Sequence, residues 1–97
     1  MSCINLETIV ISENIETIGD SAFDTCRNLK NVTIESSYIY NVTGGVRENF
    51  AGGLLCYATN VKVLKTIVDN ASNNNTYLNS DKFTKTESGE YYIYSKN

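Results

Sequence analysis

The 97-residue sequence has no histidine, no proline and no tryptophan, and only three cysteines. Without histidine, Ser-His and Cys-His nucleophile pairs and His-ligated zinc centres are excluded within the chain, which removes most simple hydrolase chemistry. Three cysteines cannot all pair with one another, so a disulfide framework is a poor account of them. No run approaches the roughly 18 apolar residues of a membrane-spanning helix. The opening MSCINLETIV has neither the basic start nor the apolar stretch of a signal peptide. The eight basic residues are scattered and the net charge is −3, so no cluster can neutralise a row of phosphates, and nucleic acid is not an expected partner.

Other chemistry is thin. The eleven acidic residues are spread through turns such as those at Glu13, Asp20 and Asp24 and read as solvated acids rather than the facing carboxylates of a glycosidase. The Gly44-Gly45 and Gly52-Gly53 pairs lack the lysine and the spacing of a phosphate-binding loop; positive-φ loop conformations explain them. The tract DNASNNNTYLNSD is oxygen-rich like a calcium loop, but Ala71 stands at a ligand position and the glycine is missing. No cofactor or metal is expected, and the chain reads as non-enzymatic. The sequons at Asn31, Asn41, Asn70 and Asn74 read as compositional.

What the sequence does contain is a repeat. CINLETIVISENIETIGDSAF opens at Cys3 and CRNLKNVTIESSYIYNVTGG opens at Cys26, so the interval between these two cysteines is the period. Leu6 maps onto Leu29, Ile9 onto Val32 and Ile11 onto Ile34. The triplets Ile9-Val10-Ile11 and Val32-Thr33-Ile34 alternate inward and outward with β-branched residues, predicting one short half-buried strand per copy. After the strand, Ile15 and Ile18 are expected to point inward from a second extended segment, with Ala22 and Phe23 plugging the interior. One copy cannot bury its apolar face alone, so copies stack into a continuous core. Cys3 and Cys26 then occupy a small packed interior position and are expected as buried, reduced thiols; a Cys3–Cys26 bridge and a metal or reactive role are lesser alternatives. Cys56 is expected in the core as well.

LxxIxI, then IxxIGxxAF, then CxxL at this spacing resembles the BspA-type (Treponema pallidum-type) leucine-rich repeat over residues 3 to 37, with Ser12 and Glu35 where that family usually has proline. The resemblance implies an α/β repeat solenoid, a short leucine-rich-repeat stack of 23-residue, mostly short-stranded coils. Residues 1–97 then form one domain with regular coils at 3–25 and 26–43, a degenerate third coil at 44–69 and a C-terminal cap at 70–97. Past Glu35 the pattern loosens: Ile39 and Val42 echo Ile15 and Ile18 with one residue inserted, Phe50 echoes Phe23, and TGGVRENFAGG is an expanded turn and short helix. Val61-Lys62-Val63 is a third strand and VLKTIVDN a helical turn. Tyr77 and Leu78 anchor the asparagine-rich tract, and KFTKTESGEYYIYSK forms a β-hairpin about Ser88-Gly89. Of its tyrosines, Tyr92 and Tyr94 share one face and Tyr91 and Ile93 the other, and only one face can be core.

Parallel stacking aligns Thr8 with Asn31, Val10 with Thr33 and Ser12 with Glu35 on the outer side of the sheet, the natural contact surface of such a stack. These six residues are the candidate binding site, for a protein or glycan partner. The resemblance also implies a cell-surface setting and adhesion. A purely structural spacer is the alternative. The first coil has no capping element before it, so either a protein longer on the N-terminal side or a homodimer through the N-terminal coil is a further expectation.

Overall fold

The computed structural model describes residues 5–18, 23, 26–42, 53–71 and 75–97. They form one open five-stranded mixed sheet in the order β1-β2-β3-β5-β4. β1 (Thr8–Ile11) lies parallel to β2 (Asn31–Ile34) with Thr8 opposite Asn31, so the period of the sequence is the register of the sheet. The Glu7 carbonyl accepts from the amides of Lys30 and Asn31, and the Ile11 carbonyl from that of Glu35, which fixes the register at both ends. β3 (Asn60–Leu64) continues the parallel run, with Asn31 opposite Asn60. The step from Asn31 to Asn60 is longer than that from Thr8 to Asn31, so the period has stretched between the second and third strands.

The chain then reverses. β4 (Phe83–Ser88) and β5 (Tyr91–Lys96) form the expected antiparallel hairpin, and β5 pairs antiparallel with β3. Gly89 and Glu90 make its turn, Gly89 at φ 60°, a conformation open to glycine and costly for residues with a Cβ. Tyr92 and Tyr94 take the core side: Tyr94 is fully buried and pairs with Val61, Tyr92 with Val63. Tyr92 also donates to Asp69 Oδ1 at 2.9 Å, and the Lys85 ammonium sits 4.1 Å from its ring centroid. The hairpin is thereby tied to a short helix at Lys65–Asp69.

One apolar cluster lies on the inner side of the sheet, where Val32, Ile34, Val61, Val63 and Tyr94 converge with Leu29, Ile39, Tyr40, Leu54, Leu55, Ala58 and Leu78. Burial weakens toward β1. Ile11, Leu29, Val32 and Ile34 are buried as expected, but Leu6, Ile9, Ile18 and Phe23 are only partly so. Ile15, expected to be buried, is 38% exposed. Among the described residues β1 pairs with β2 alone, so the first repeat packs against a neighbour on one side only. Ala22 lies outside the described residues, as do Cys3, the Gly44-Gly45 pair, Phe50 and Gly52.

Three further expectations are corrected. Ile39 and Val42 do not extend the second repeat but lie in a helix, α1 (Ser37–Val42); the helix at Lys65–Asp69 is α2. Ser36 starts α1: its hydroxyl accepts from the Ile39 amide at 3.2 Å, the geometry of an N-cap, and donates to the Ile15 carbonyl of the preceding repeat at 2.5 Å. Cys26 is buried but disulfide-bonded rather than a reduced thiol. Cys56 is a half-buried thiol outside any disulfide, and the core positions around it are Leu54, Leu55 and Ala58. Gly53, at φ 82°, shows the positive φ expected of the second glycine pair. Tyr77 and Leu78 anchor the asparagine-rich tract as expected, while the expanded turn at residues 43–53 lies, Gly53 apart, outside the described residues.

Candidate functional site

Because side chains alternate along a strand, burying Val32, Ile34, Val61 and Val63 sends Asn31, Thr33, Asn60 and Lys62 to the opposite face. The registers assemble that face into rows. Thr8, Asn31, Asn60, Ser95 and Thr84 make the first, and Val10, Thr33, Lys62, Ile93 and Thr86 the second. Neighbours in a row are about 4.8 Å apart across the sheet, and rows about 7 Å apart along it. A third row holds Leu64, Tyr91 and Ser88. The face is open to solvent: Val10 is 56% exposed, and Thr8, Asn31, Lys62, Thr84, Thr86 and Ser95 are exposed.

Within this face Thr8, Asn31, Thr33, Asn60 and Lys62, with Val32 behind them, line a recess of about 220 Å³. The Asn60 side-chain oxygen is buried and has no hydrogen-bond partner among the described residues. Lys62 is the one charged residue of the lining and makes no ion pair among the described residues, its ammonium lying 6.0 Å from the Tyr91 ring centroid. Glu35 is occupied elsewhere: the Tyr91 hydroxyl donates to its Oε2 at 2.6 Å. That hydrogen bond, helped by desolvation and by the charges of Glu35 and Glu90, raises the Tyr91 pKa, so the phenol stays protonated as a donor. A second cavity, of about 370 Å³ between α1 and α2, is lined by Ser37, Asn41, Thr66, Ile67, Asn70 and Ala71, none of them titratable.

Of the six candidate residues, Thr8, Asn31 and Thr33 meet in the recess and Val10 stands beside it. Glu35 sits one residue past β2 under the Tyr91 phenol, and Ser12 lies exposed in the turn after β1. Asn60, Lys62, Tyr91, Ile93, Ser95, Thr84 and Thr86 are not among the candidates, because alignment at the Cys3-to-Cys26 interval stops after the second copy. The dipeptide Asn-Val that opens both β2 and β3 is the sequence signal that marks the third strand as an equivalent.

A profile described as "BspA type Leucine rich repeat region (6 copies)" matches residues 1–97. The chain belongs to the BspA-type leucine-rich-repeat family. No curated protein and no solved structure matches it. In BspA-type terms, the rows described above are the outward faces of successive repeat strands, extended here by the two strands of the terminal hairpin. Among the described residues no group of three or more acidic or cysteine side chains could hold a metal ion, and no helix is long and apolar enough to cross a membrane.

Proposed function

We propose that this protein is a non-catalytic interaction module, a short leucine-rich-repeat solenoid that recognises another protein through the outer face of its sheet. The observation that carries this reading is the asymmetry of the sheet. One face holds the whole apolar cluster, while the other is a solvent-open array of hydroxyl, amide and apolar side chains held in fixed rows. Such an array is preorganised, so a partner loses little entropy in ordering it. Its mixture of Thr, Asn, Lys, Tyr and Ile offers hydrogen bonds and apolar contact together, as interfaces require. A setting at a cell surface and a part in adhesion belong to this proposal; the Cys26 disulfide supports an oxidising compartment.

The rival reading, a spacer or assembly module, draws on the incompletely buried first repeat, where Ile15 and Val10 remain exposed beside β1. Protein and glycan arrays probed with the wild type and with a Thr33→Arg, Ile93→Arg variant distinguish the two. The interaction module binds a subset of spots and loses them in the variant, whose sheet stays folded because both positions face outward. Equal binding by both proteins, or none by either, favours the spacer. Retention of glycan spots alone would replace the protein partner with a carbohydrate.

A further inference from the structure

We infer that the recess at Asn60 and Lys62 is an acidic-residue subsite, which takes the carboxylate and the adjoining main-chain N–H of one Asp or Glu in the partner polypeptide; this rests on the interaction-module reading above. Three observations converge there. First, the recess is concave, with a volume of about 220 Å³, enough for one side chain and not for a large ligand. Second, Lys62 is its one cation and makes no ion pair among the described residues, while the Glu35 carboxylate just past β2 accepts from the Tyr91 phenol at 2.6 Å. An ammonium left without an ion pair on a protein of net charge −3 is a local exception to the field of the molecule, and an anion placed on it gains a charge-assisted hydrogen bond. Third, the Asn60 oxygen is a buried acceptor that finds no hydrogen-bond donor among the described residues, and leaving such an atom unpaired is costly.

The spacing of these groups selects the ligand. Asn60 and Lys62 are two apart on β3 and share the outer face, so their side chains leave the sheet about 7 Å apart. That is close to the separation between the backbone N–H of an extended glutamate and its own carboxylate. A small turn of the Asn60 amide presents its oxygen to the partner's N–H, while Lys62 holds the carboxylate. Thr33, opposite Lys62, and Asn31, opposite Asn60, supply further donors at the rim. A neutral glutamine in the same place keeps the N–H contact and loses the charged one.

The test is an NMR titration of the whole 97-residue chain at low salt with acetyl-Gly-Glu-Gly-amide and, separately, acetyl-Gly-Gln-Gly-amide. The expected result is saturable shifts at Asn31, Thr33, Asn60 and Lys62, including the Asn60 side-chain amide. Binding of the glutamine peptide should be about tenfold weaker, and raising the salt should weaken the glutamate peptide selectively. Lys62→Gln should erase the difference between the peptides without altering the spectrum of the core. Equal affinity for both peptides, shifts scattered over other lysines, or no shifts at all would each overturn the subsite. Should that occur while the Thr33→Arg, Ile93→Arg variant still loses its array partners, the interaction face stands and only the acidic subsite falls.

Discussion

The side-chain amide of Asn75 donates a 3.0 Å hydrogen bond to the carbonyl of Tyr40, joining the end of α1 to a turn 35 residues later in the chain. Its oxygen at the same time accepts from the Leu78 amide at 2.9 Å. One buried residue thus satisfies two main-chain groups that sequence places far apart. Asn75→Ala removes both hydrogen bonds, at about 1–3 kcal/mol each. A loss of about 2–4 kcal/mol in urea-induced unfolding is expected, and Asn75→Asp, which keeps the acceptor but sets a buried carboxylate against the Tyr40 carbonyl, should cost at least as much. A change under about 1 kcal/mol for the alanine variant would show that the turn is not held in this way.

The uneven burial of the repeats gives a second expectation. Ile34 is completely buried between the strands and Ile15 is 38% exposed, although both hold inward positions in the repeat pattern. Ile34→Ala should cost about 3–5 kcal/mol, the range for a core truncation whose cavity cannot collapse, and Ile15→Ala under about 1 kcal/mol. Equal losses in denaturant titrations would mean that the first repeat is covered in solution.

How far the fold can be read from residue order follows from the same contrast. β1, β2 and β3 are legible because Ile or Val recurs there at alternate positions, and the hairpin because Gly89 separates two runs rich in Thr and Tyr. The helix at Ser37–Val42 is not, since Tyr38, Ile39 and Tyr40 favour strands and the element depends on the Ser36 cap, itself held by the Ile15 carbonyl of another repeat. Asn75 is hidden among identical neighbours, and only tertiary placement distinguishes it. On the outer face, the ladder of Thr8, Val10, Asn31 and Thr33 follows from a strict period, whereas Asn60 and Lys62 lie beyond it, because the longer step from β2 to β3 breaks the alignment. Ile15 shows the opposite failure: the pattern marks which way a side chain points, not whether a neighbour covers it.

The buried Tyr94 phenol sets the behaviour in alkali. Burial first, and then the neighbouring Tyr40 phenol, raise its pKa well above the tyrosine range. A folded pKa above the unfolded value of about 10 means the contribution is fully present below about pH 10. It is lost as the pH rises from there toward the folded pKa, by about 1.4 kcal/mol per pH unit. Urea midpoints should therefore be flat for this group up to about pH 10 and fall steeply above it. Tyr94→Phe should flatten that alkaline fall; an unchanged slope would assign it to other groups.

With Cys26 disulfide-bonded and Cys56 not, thiol counting on the unfolded, unreduced chain should find one reactive group, and Cys56→Ser should abolish it. Reduction should lower stability by about 2–4 kcal/mol, the usual contribution of a native disulfide. Three thiols before reduction would restore the reading of Cys26 as a reduced core residue.

The exposed side of β1 leads to the final expectation, a two-fold dimer. The carbonyls of Glu7 and Ile11 point toward β2, where they accept from Lys30, Asn31 and Glu35. By alternation Thr8 and Val10 turn their main-chain groups the other way, and among the described residues no strand pairs with them. An open edge of this kind, flanked by Val10 at 56% and Ile15 at 38% exposure, is a template for a second strand. A second copy of the chain can meet it antiparallel about a two-fold axis, each β1 supplying the partner of the other. Light scattering coupled to size exclusion, from micromolar to near-millimolar protein, should show mass rising toward the dimer. Thr8→Pro removes an edge amide that no described residue uses and should hold the protein monomeric, whereas a charge at the half-buried Ile9 would damage the repeat and test nothing. A monomer at every concentration would leave the edge unpaired and remove the dimer from consideration.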